Sequence, residues 1–255
     1  APVVSPGGDR VAYLSTVKDG PAQAYVVPLA SGRARRVTRL PHGASALAWA
    51  PGGDALVVLA GDARSPWLVG ERRSATPTAR VLRRIGWRED GVGLLLHPAH
   101  LHVVPLDGGR PRRLTAGPWS AARPALSADG RHVLFLADLR DDADLWPLPQ
   151  VHRVPLAGGE PEQVSHVPGG VDRFAVQADG SIQCVGQLAA AFRDHHPSRV
   201  LALAPDGAPL DVAPALDRWA GVSGTDTDLH DWLTDRRDAQ DVWNVADRGR
   251  VIPHR

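Results

Sequence analysis

What the chain lacks narrows its chemistry first. Methionine is absent from all 255 residues, and Cys184 is the single cysteine. One cysteine closes no intrachain disulfide and excludes zinc sites built from several cysteines, so a reducing compartment, the cytoplasm, is the expected location. No apolar run reaches the roughly 18 residues that a spanning helix needs, and no basic region with an apolar core opens the chain; no membrane partner is expected. The formal net charge is only +1, with a pI near 8.3, so no whole-chain field draws the protein to nucleic acid. A chain that starts at Ala1-Pro2-Val3, in strand-like sequence and without methionine, is expected to continue upstream.

The Gly-x-Ser-x-Gly elbow of a hydrolase nucleophile is also missing. Gly221-Val222-Ser223-Gly224 comes nearest, but its spacing is wrong and a loop turn is the simpler reading. Two further groups deserve weighing as ligand sets. His97, His100 and His102 form a His-x-x-His-x-His run in which His100 and His102 would share one face of a strand, as metal ligands could; no carboxylate lies close in sequence, so a strand leading into a turn is favoured. Asp226, Asp228 and Asp231 lack the glycine and terminal glutamate of a calcium loop and read as a solvated loop. His195-His196 read as a polar loop. No catalytic, cofactor-binding or metal-binding residue is therefore expected, and no cofactor.

What is abundant is the turn former. Gly and Pro number 26 and 23 and recur between short apolar runs, the pattern of many strands joined by tight turns. One element repeats five times: Val4-Ser5-Pro6-Gly7-Gly8, Trp49-Ala50-Pro51-Gly52-Gly53, Trp87-Arg88-Glu89-Asp90-Gly91, Leu126-Ser127-Ala128-Asp129-Gly130 and Val176-Gln177-Ala178-Asp179-Gly180. The steps between the closing glycines are about 45, 38, 39 and 50 residues, the length of a propeller blade. A second element falls between: Val27-Pro28-Leu29, Val104-Pro105-Leu106, Val154-Pro155-Leu156 and Leu203-Ala204-Pro205, each leading through glycine to a short strand such as Arg35-Arg36-Val37-Thr38 or Arg112-Arg113-Leu114-Thr115. Two hairpin turns per repeat make four antiparallel strands. Val11–Leu14, Leu56–Leu59 and His132–Leu136 are near-continuous apolar runs, expected to be buried on both faces between sheets.

The expected architecture is all-β: an incomplete β-propeller of about five blades plus the start of a sixth. The blades are placed at about 1–44, 45–83, 84–120, 121–168 and 169–218, with a partial one over 219–255. The second has lost its outer pattern near Leu68-Val69-Gly70-Glu71, and Trp243 to Arg250 reads as the first turn of the sixth. Stopping there leaves an open sheet edge, which predicts truncation and makes homo-oligomers conceivable. Trp49 and Trp87 recur at one repeat position, with Trp243 near a third, a sign of packing between blades. Arg33, Arg35, Arg36, Arg110, Arg112 and Arg113 read as polar faces of outer strands, since acids balance them and no aromatics interleave.

These repeats resemble the propeller of prolyl oligopeptidase-family serine peptidases, the acylaminoacyl peptidases in particular. The likeness rests on Ser127-Ala128-Asp129-Gly130-Arg131, on Gly108-Gly109-Arg110-Pro111-Arg112-Arg113-Leu114-Thr115, on Arg84 to Gly93 with His100 to Pro105, and on the acidic insert Asp138-Leu139-Arg140-Asp141-Asp142-Ala143-Asp144-Leu145 within Leu136 to Leu148. The resemblance implies a seven-bladed propeller joined to an α/β-hydrolase domain, whose Ser-His-Asp site it screens. This sequence departs in its blade count and in carrying no hydrolase domain. The implied role is to gate the site and to select small or blocked-end peptides. The implied partners are an α/β-hydrolase catalytic domain and peptide substrates, with the acidic insert as a candidate gate. Two rivals stay open: a stand-alone TolB-like or WD40-like interaction scaffold, and a peptidase relative that has lost its hydrolase domain.

Overall fold

The computed structural model describes residues 2–18, 20–62, 68–69, 81–82, 85–86, 88–89, 93–94, 97–190, 197–215, 220, 243–247 and 250–254. Among them there is no helix, and none is long and apolar enough to cross a membrane. The chain divides into two compact units, one of Ala1–Leu126, Gly130–Pro147 and Val154–Pro161, the other of Ser127–Asp129, Leu148–Arg153 and Glu162–Arg255.

Four four-stranded sheets are present among the described residues. Blade 1 is β1 (Val3–Val4), β2 (Arg10–Ser15), β3 (Gln23–Pro28) and β4 (Arg35–Arg36) in sequence order. Blade 2 begins with β5 (Ala44–Trp49) and β6 (Ala55–Gly61). Four two-residue strands follow, β7 (Leu68–Val69), β8 (Val81–Leu82), β9 (Arg88–Glu89) and β10 (Gly93–Leu94), paired as two separate small hairpins, β7 with β8 and β9 with β10. Blade 2 then resumes with β11 (Ala99–Pro105) and β12 (Arg112–Arg113), in the order β12-β11-β6-β5. Blade 3 is β13 (Ala122–Leu126), β14 (His132–Ala137), β15 (Gln150–Pro155) and β16 (Glu162–Gln163). Blade 4 is β17 (Val171–Val176), β18 (Ile182–Gly186), β19 (Arg199–Leu203) and β20 (Pro209–Asp211). β21 (Trp243–Asp247) and β22 (Arg250–His254) form a last hairpin, with Asp247 opposite Arg250.

The expected division at 45–83 and 84–120 is therefore corrected: these segments are one blade. β6 pairs with β11 over seven residues, Leu56 opposite Val104 and Ala60 opposite His100. The intervening segment is an insertion, closed at its base by the Asp62 amide donating to the Pro98 carbonyl at 2.9 Å. The physical reason is burial. Ala55 to Ala60 are all buried, and a strand covered on both faces needs a long partner at each edge; the two-residue strands of the insertion cannot supply one. Among the described residues the complete four-stranded sheets accordingly number four, beside the β21–β22 hairpin. Trp87, Asp90-Gly91, Gly70-Glu71, His195-His196, Gly221 to Gly224 and Asp226 to Asp231 lie outside the described residues.

Strand alternation sorts β6 between two cores. Leu56 and Val58 join Ala12, Ala24, Val26 and Val104 between blades 1 and 2. Val57 and Leu59 point the other way and join Leu101, Val133, Phe135 and Val154. Each such Val, Leu or Phe side chain, when fully buried, contributes roughly 1.5–3 kcal/mol. β14 is likewise buried from Val133 to Ala137. β2 departs from the expectation for Val11–Leu14: only Ala12 is buried, because blade 1 is an outer layer of its unit and is covered mainly on the side that meets blade 2.

The repeated turns explain their own composition. Gly130 adopts φ +68, and a Cβ there would stand 2.4 Å from Pro51 Cγ, so the turn of blade 3 lies directly on that of blade 2. Only glycine meets both demands. The outer strands carry a second repeating device. In blade 1 the Thr38 hydroxyl accepts from the Ala24 amide at 2.8 Å and donates to Gln23 Oε1 at 2.8 Å, while Gln23 Nε2 donates to the Leu40 carbonyl at 2.9 Å. In blade 3, Ser165 and Gln150 repeat it on Val151 and Val167. Blade 2 has the same cap with one change.

Candidate functional site

The change is His100, which stands where blades 1 and 3 have glutamine. It is fully buried. Its Nε2 lies 3.1 Å from the Gly117 carbonyl and its Nδ1 3.2 Å from Thr115 Oγ1, which also accepts from the Leu101 amide at 3.0 Å. A carbonyl only accepts, so Nε2 carries the proton and Nδ1 accepts from the hydroxyl, the assignment expected of a neutral ring. Burial, and then the positive charge of Arg113, push the His100 pKa down to about 4 against the pull of Asp62. His102 is lowered too, chiefly by burial, and its Nδ1 contacts the His100 carbonyl at 3.0 Å.

These groups surround the base of the insertion. Asp62 bonds Arg113 at 2.9 Å and stands 3.8 Å from His100 Nε2. Trp119 meets His100 edge-on at 5.0 Å. His42, from the loop before β5, stacks on His97 at 3.7 Å. Gly61 permits that stack, since a Cβ there would lie 3.1 Å from His42 Cβ. The metal reading of His97, His100 and His102 is not what the geometry favours: both His100 nitrogens are engaged by protein atoms, and no group of three or more ligating side chains is placed to hold a metal among the described residues.

The tip of the β14–β15 hairpin reaches the same insertion. Asp144 accepts hydrogen bonds from the Ile85 and Gly86 amides, the latter at 3.0 Å. Arg140 organises the rest of the acidic run, bonding Asp138 at 2.7 Å and Asp142 at 3.2 Å. The run is thus an internally paired tip. It leaves Ile85, Leu145 and Trp146 exposed at 67%, 70% and 45%. Nothing in the sequence pattern placed 85–86 beside 144; only the shared excess length of the two connections between second and third strands could have pointed to it.

The remaining residues singled out in the sequence have structural roles. Trp49 is buried and donates to the Val3 carbonyl at 2.9 Å, as a packing residue between blades. Arg35 and Arg112 clip one blade to the next, donating to the carbonyls of Leu106 and Leu156 at 2.6 Å each. Cys184 is buried, which pushes its thiol up to about 12 and keeps it from acting as a thiolate. Ser5 and Ser181 donate to Asp9 and Asp179 of their own turns.

No family model matches the chain. A curated relative, the uncharacterized peptidase YuxL of Bacillus subtilis, is 29% identical over 145 residues, which cover 55% of this chain and 22% of that protein. Among solved structures, the acylaminoacyl peptidase of Pyrococcus horikoshii aligns with 99% of this chain and 36% of its own, at 15% identity and a TM-score of 0.66. The β-propeller domain of the trilobed protease from Pyrococcus furiosus aligns over 99% of this chain and 66% of its own, at 11% identity and 0.58. TolB from Acinetobacter baumannii aligns over 98% and 52%, at 16% and 0.56. This chain spans about a fifth of the curated relative and about a third of the acylaminoacyl peptidase. In fold the chain is similar to the β-propeller of an acylaminoacyl peptidase, and over about half of its sequence it is similar to a peptidase.

Proposed function

We propose that this chain is the gating and substrate-selecting propeller of an acylaminoacyl-peptidase-like serine peptidase, and that it is not catalytic by itself. The observation that carries this reading is the alignment of nearly the whole chain with one third of an acylaminoacyl peptidase, alongside sequence identity to a peptidase over more than half its length. The paired insertion and hairpin tip supply surfaces that could screen peptides: exposed Ile85, Leu145 and Trp146 beside a charged rim of Asp138, Arg140 and Asp142. The catalytic partner is an α/β-hydrolase domain, and the substrates are small or blocked-end peptides in a cytoplasmic setting.

Two measurements test it. Reading the gene beyond Arg255 should reveal a Gly-x-Ser-x-Gly elbow; a stop codon there would instead favour the scaffold reading that the TolB likeness supports. The present polypeptide should leave acyl-amino-acid chromogenic substrates intact, while the extended protein turns them over. In the extended protein, Leu145→Ala with Trp146→Ala should raise kcat/KM for longer peptides relative to short ones. An unchanged ratio would remove the hairpin tip from the gate.

A further inference from the structure

At the end of blades 1 and 2 opposite the insertion lies a cleft of about 480 Å³. Its lining is unusual for a seam between two β-sheets. Three arginines, Arg10, Arg33 and Arg35, face it over a floor of Val26, Pro28 and Leu106, with no carboxylate in the lining. Strand register explains how they converge. Arg10 is opposite Pro28, and Val26 is opposite Arg35, so these side chains share the face of blade 1 that meets blade 2. The position of Arg10 is filled by Ala55 in blade 2, which pairs with Pro105 as Arg10 pairs with Pro28. Blade 1 therefore carries a charge at a site where its neighbour carries a methyl group.

Two of the guanidiniums are already fixed. Arg10 lies 5.3 Å over the Trp49 ring and touches Asp9 at 3.3 Å, a largely exposed acid on the rim. Arg35 uses one nitrogen on the Leu106 carbonyl. Arg33 makes no ion pair among the described residues. Three like charges around one small volume repel, and Asp9 offsets at most one of them. An oxyanion between them would accept from two or three planar donors at once, which guanidinium forks favour, and their prior ordering lowers the entropy cost of binding.

We propose that this cleft binds a small oxyanion ligand, a carboxylate or phosphate group, with an apolar portion resting on Val26, Pro28 and Leu106. The site is separate from the insertion and does not rest on the peptidase reading. Titration calorimetry at matched ionic strength tests it, with inorganic phosphate and 4-methylpentanoate as probes and chloride as the control anion. Saturable binding of at least one probe is expected, weakened about ten-fold by Arg33→Gln, an exposed residue with no structural bond from its guanidinium. Arg110→Gln, the corresponding outer-turn position in blade 2 and absent from the cleft, should bind as the unaltered protein does. Preference for phosphate would assign the ligand to phosphate chemistry, and preference for the carboxylate to peptide or acyl chemistry. Binding weaker than about 10 mM for both probes, or equal affinity in Arg33→Gln and Arg110→Gln, overturns the proposal.

Discussion

Blades 1 and 2 are built to one plan and put to different uses. Both are four-stranded, both end their outer strands in a hydroxyl cap, and both pass an arginine to the next blade. Yet β2 is half-exposed while β6 is buried on both faces, and the cap residue is Gln23 in one and His100 in the other. An amide offers a donor and an acceptor at every pH. An imidazole offers both only when neutral. Blade 2, the central layer of its unit, thus also holds a titratable cap, at the point where the insertion leaves the sheet.

The largest effect should come from breaking the difference in burial. Leu56→Ala removes a fully buried side chain from the core between the blades and should cost about 2–5 kcal/mol in urea unfolding. Val11→Ala, at the matching position of β2, should cost about 1 kcal/mol, since Val11 is only half-buried. Equal losses would mean that β2 is more deeply covered than its pattern shows.

The cap supplies the second contrast. His100 is neutral when folded, with a pKa near 4, whereas an unfolded histidine titrates near 6.5. Between those values the unfolded chain binds the extra proton. Stability is thus intact above about pH 6.5 and falls as pH drops towards 4, by about 3 kcal/mol if the whole shift is expressed. Protonation would also turn Nδ1 into a donor facing a hydroxyl that already accepts from Leu101. His100→Gln copies the blade 1 cap and should remove most of this acid-linked loss while leaving stability near pH 7.5 little changed. His102 and the carboxylates keep some pH dependence in both proteins, so the difference between them is the readout. Identical pH profiles would show that His100 does not titrate in this window.

Much of this plan is legible in the sequence, and the blade division shows where it is not. Closing glycines such as Gly8, Gly53, Gly130 and Gly180 all adopt positive φ, which is why the inner turns could be read. Trp87 to Gly91 copy their composition at blade-like spacing, which is why the sequence suggests a fifth blade. The outer turns already told otherwise, because only Val104-Pro105-Leu106 occurs between residues 45 and 120. A blade needs two long central strands, and β6 and β11 are the only seven-residue strands among the described residues. The caps were half-visible: Thr38, Thr115 and Ser165 follow the outer-strand pattern, but their partners Gln23, His100 and Gln150 lie about 15 residues earlier, with no periodicity to link them. The Asp144 contact with Ile85 and Gly86 spans nearly 60 residues and had no local signal at all.

The smallest expected effect lies in the arginine clips, and it separates the blades most finely. Arg112 donates to two carbonyls, Leu156 at 2.6 Å and Ala157 at 3.1 Å, so Arg112→Met should cost about 1 kcal/mol once its exposure is allowed for. Arg35 donates to the Leu106 carbonyl and shares that seam with Arg10 and Arg33. Removing it loses one hydrogen bond but also relieves repulsion among three guanidiniums. The two terms oppose, and Arg35→Met should sit within about 0.5 kcal/mol of the unaltered protein at low ionic strength. Added salt screens the repulsion and not the bond, so the cost of Arg35→Met should rise with salt while that of Arg112→Met stays flat. Thermal unfolding of both variants across a chloride series reads this directly, and parallel salt dependences would mean that the charges in the blade 1 seam are already compensated.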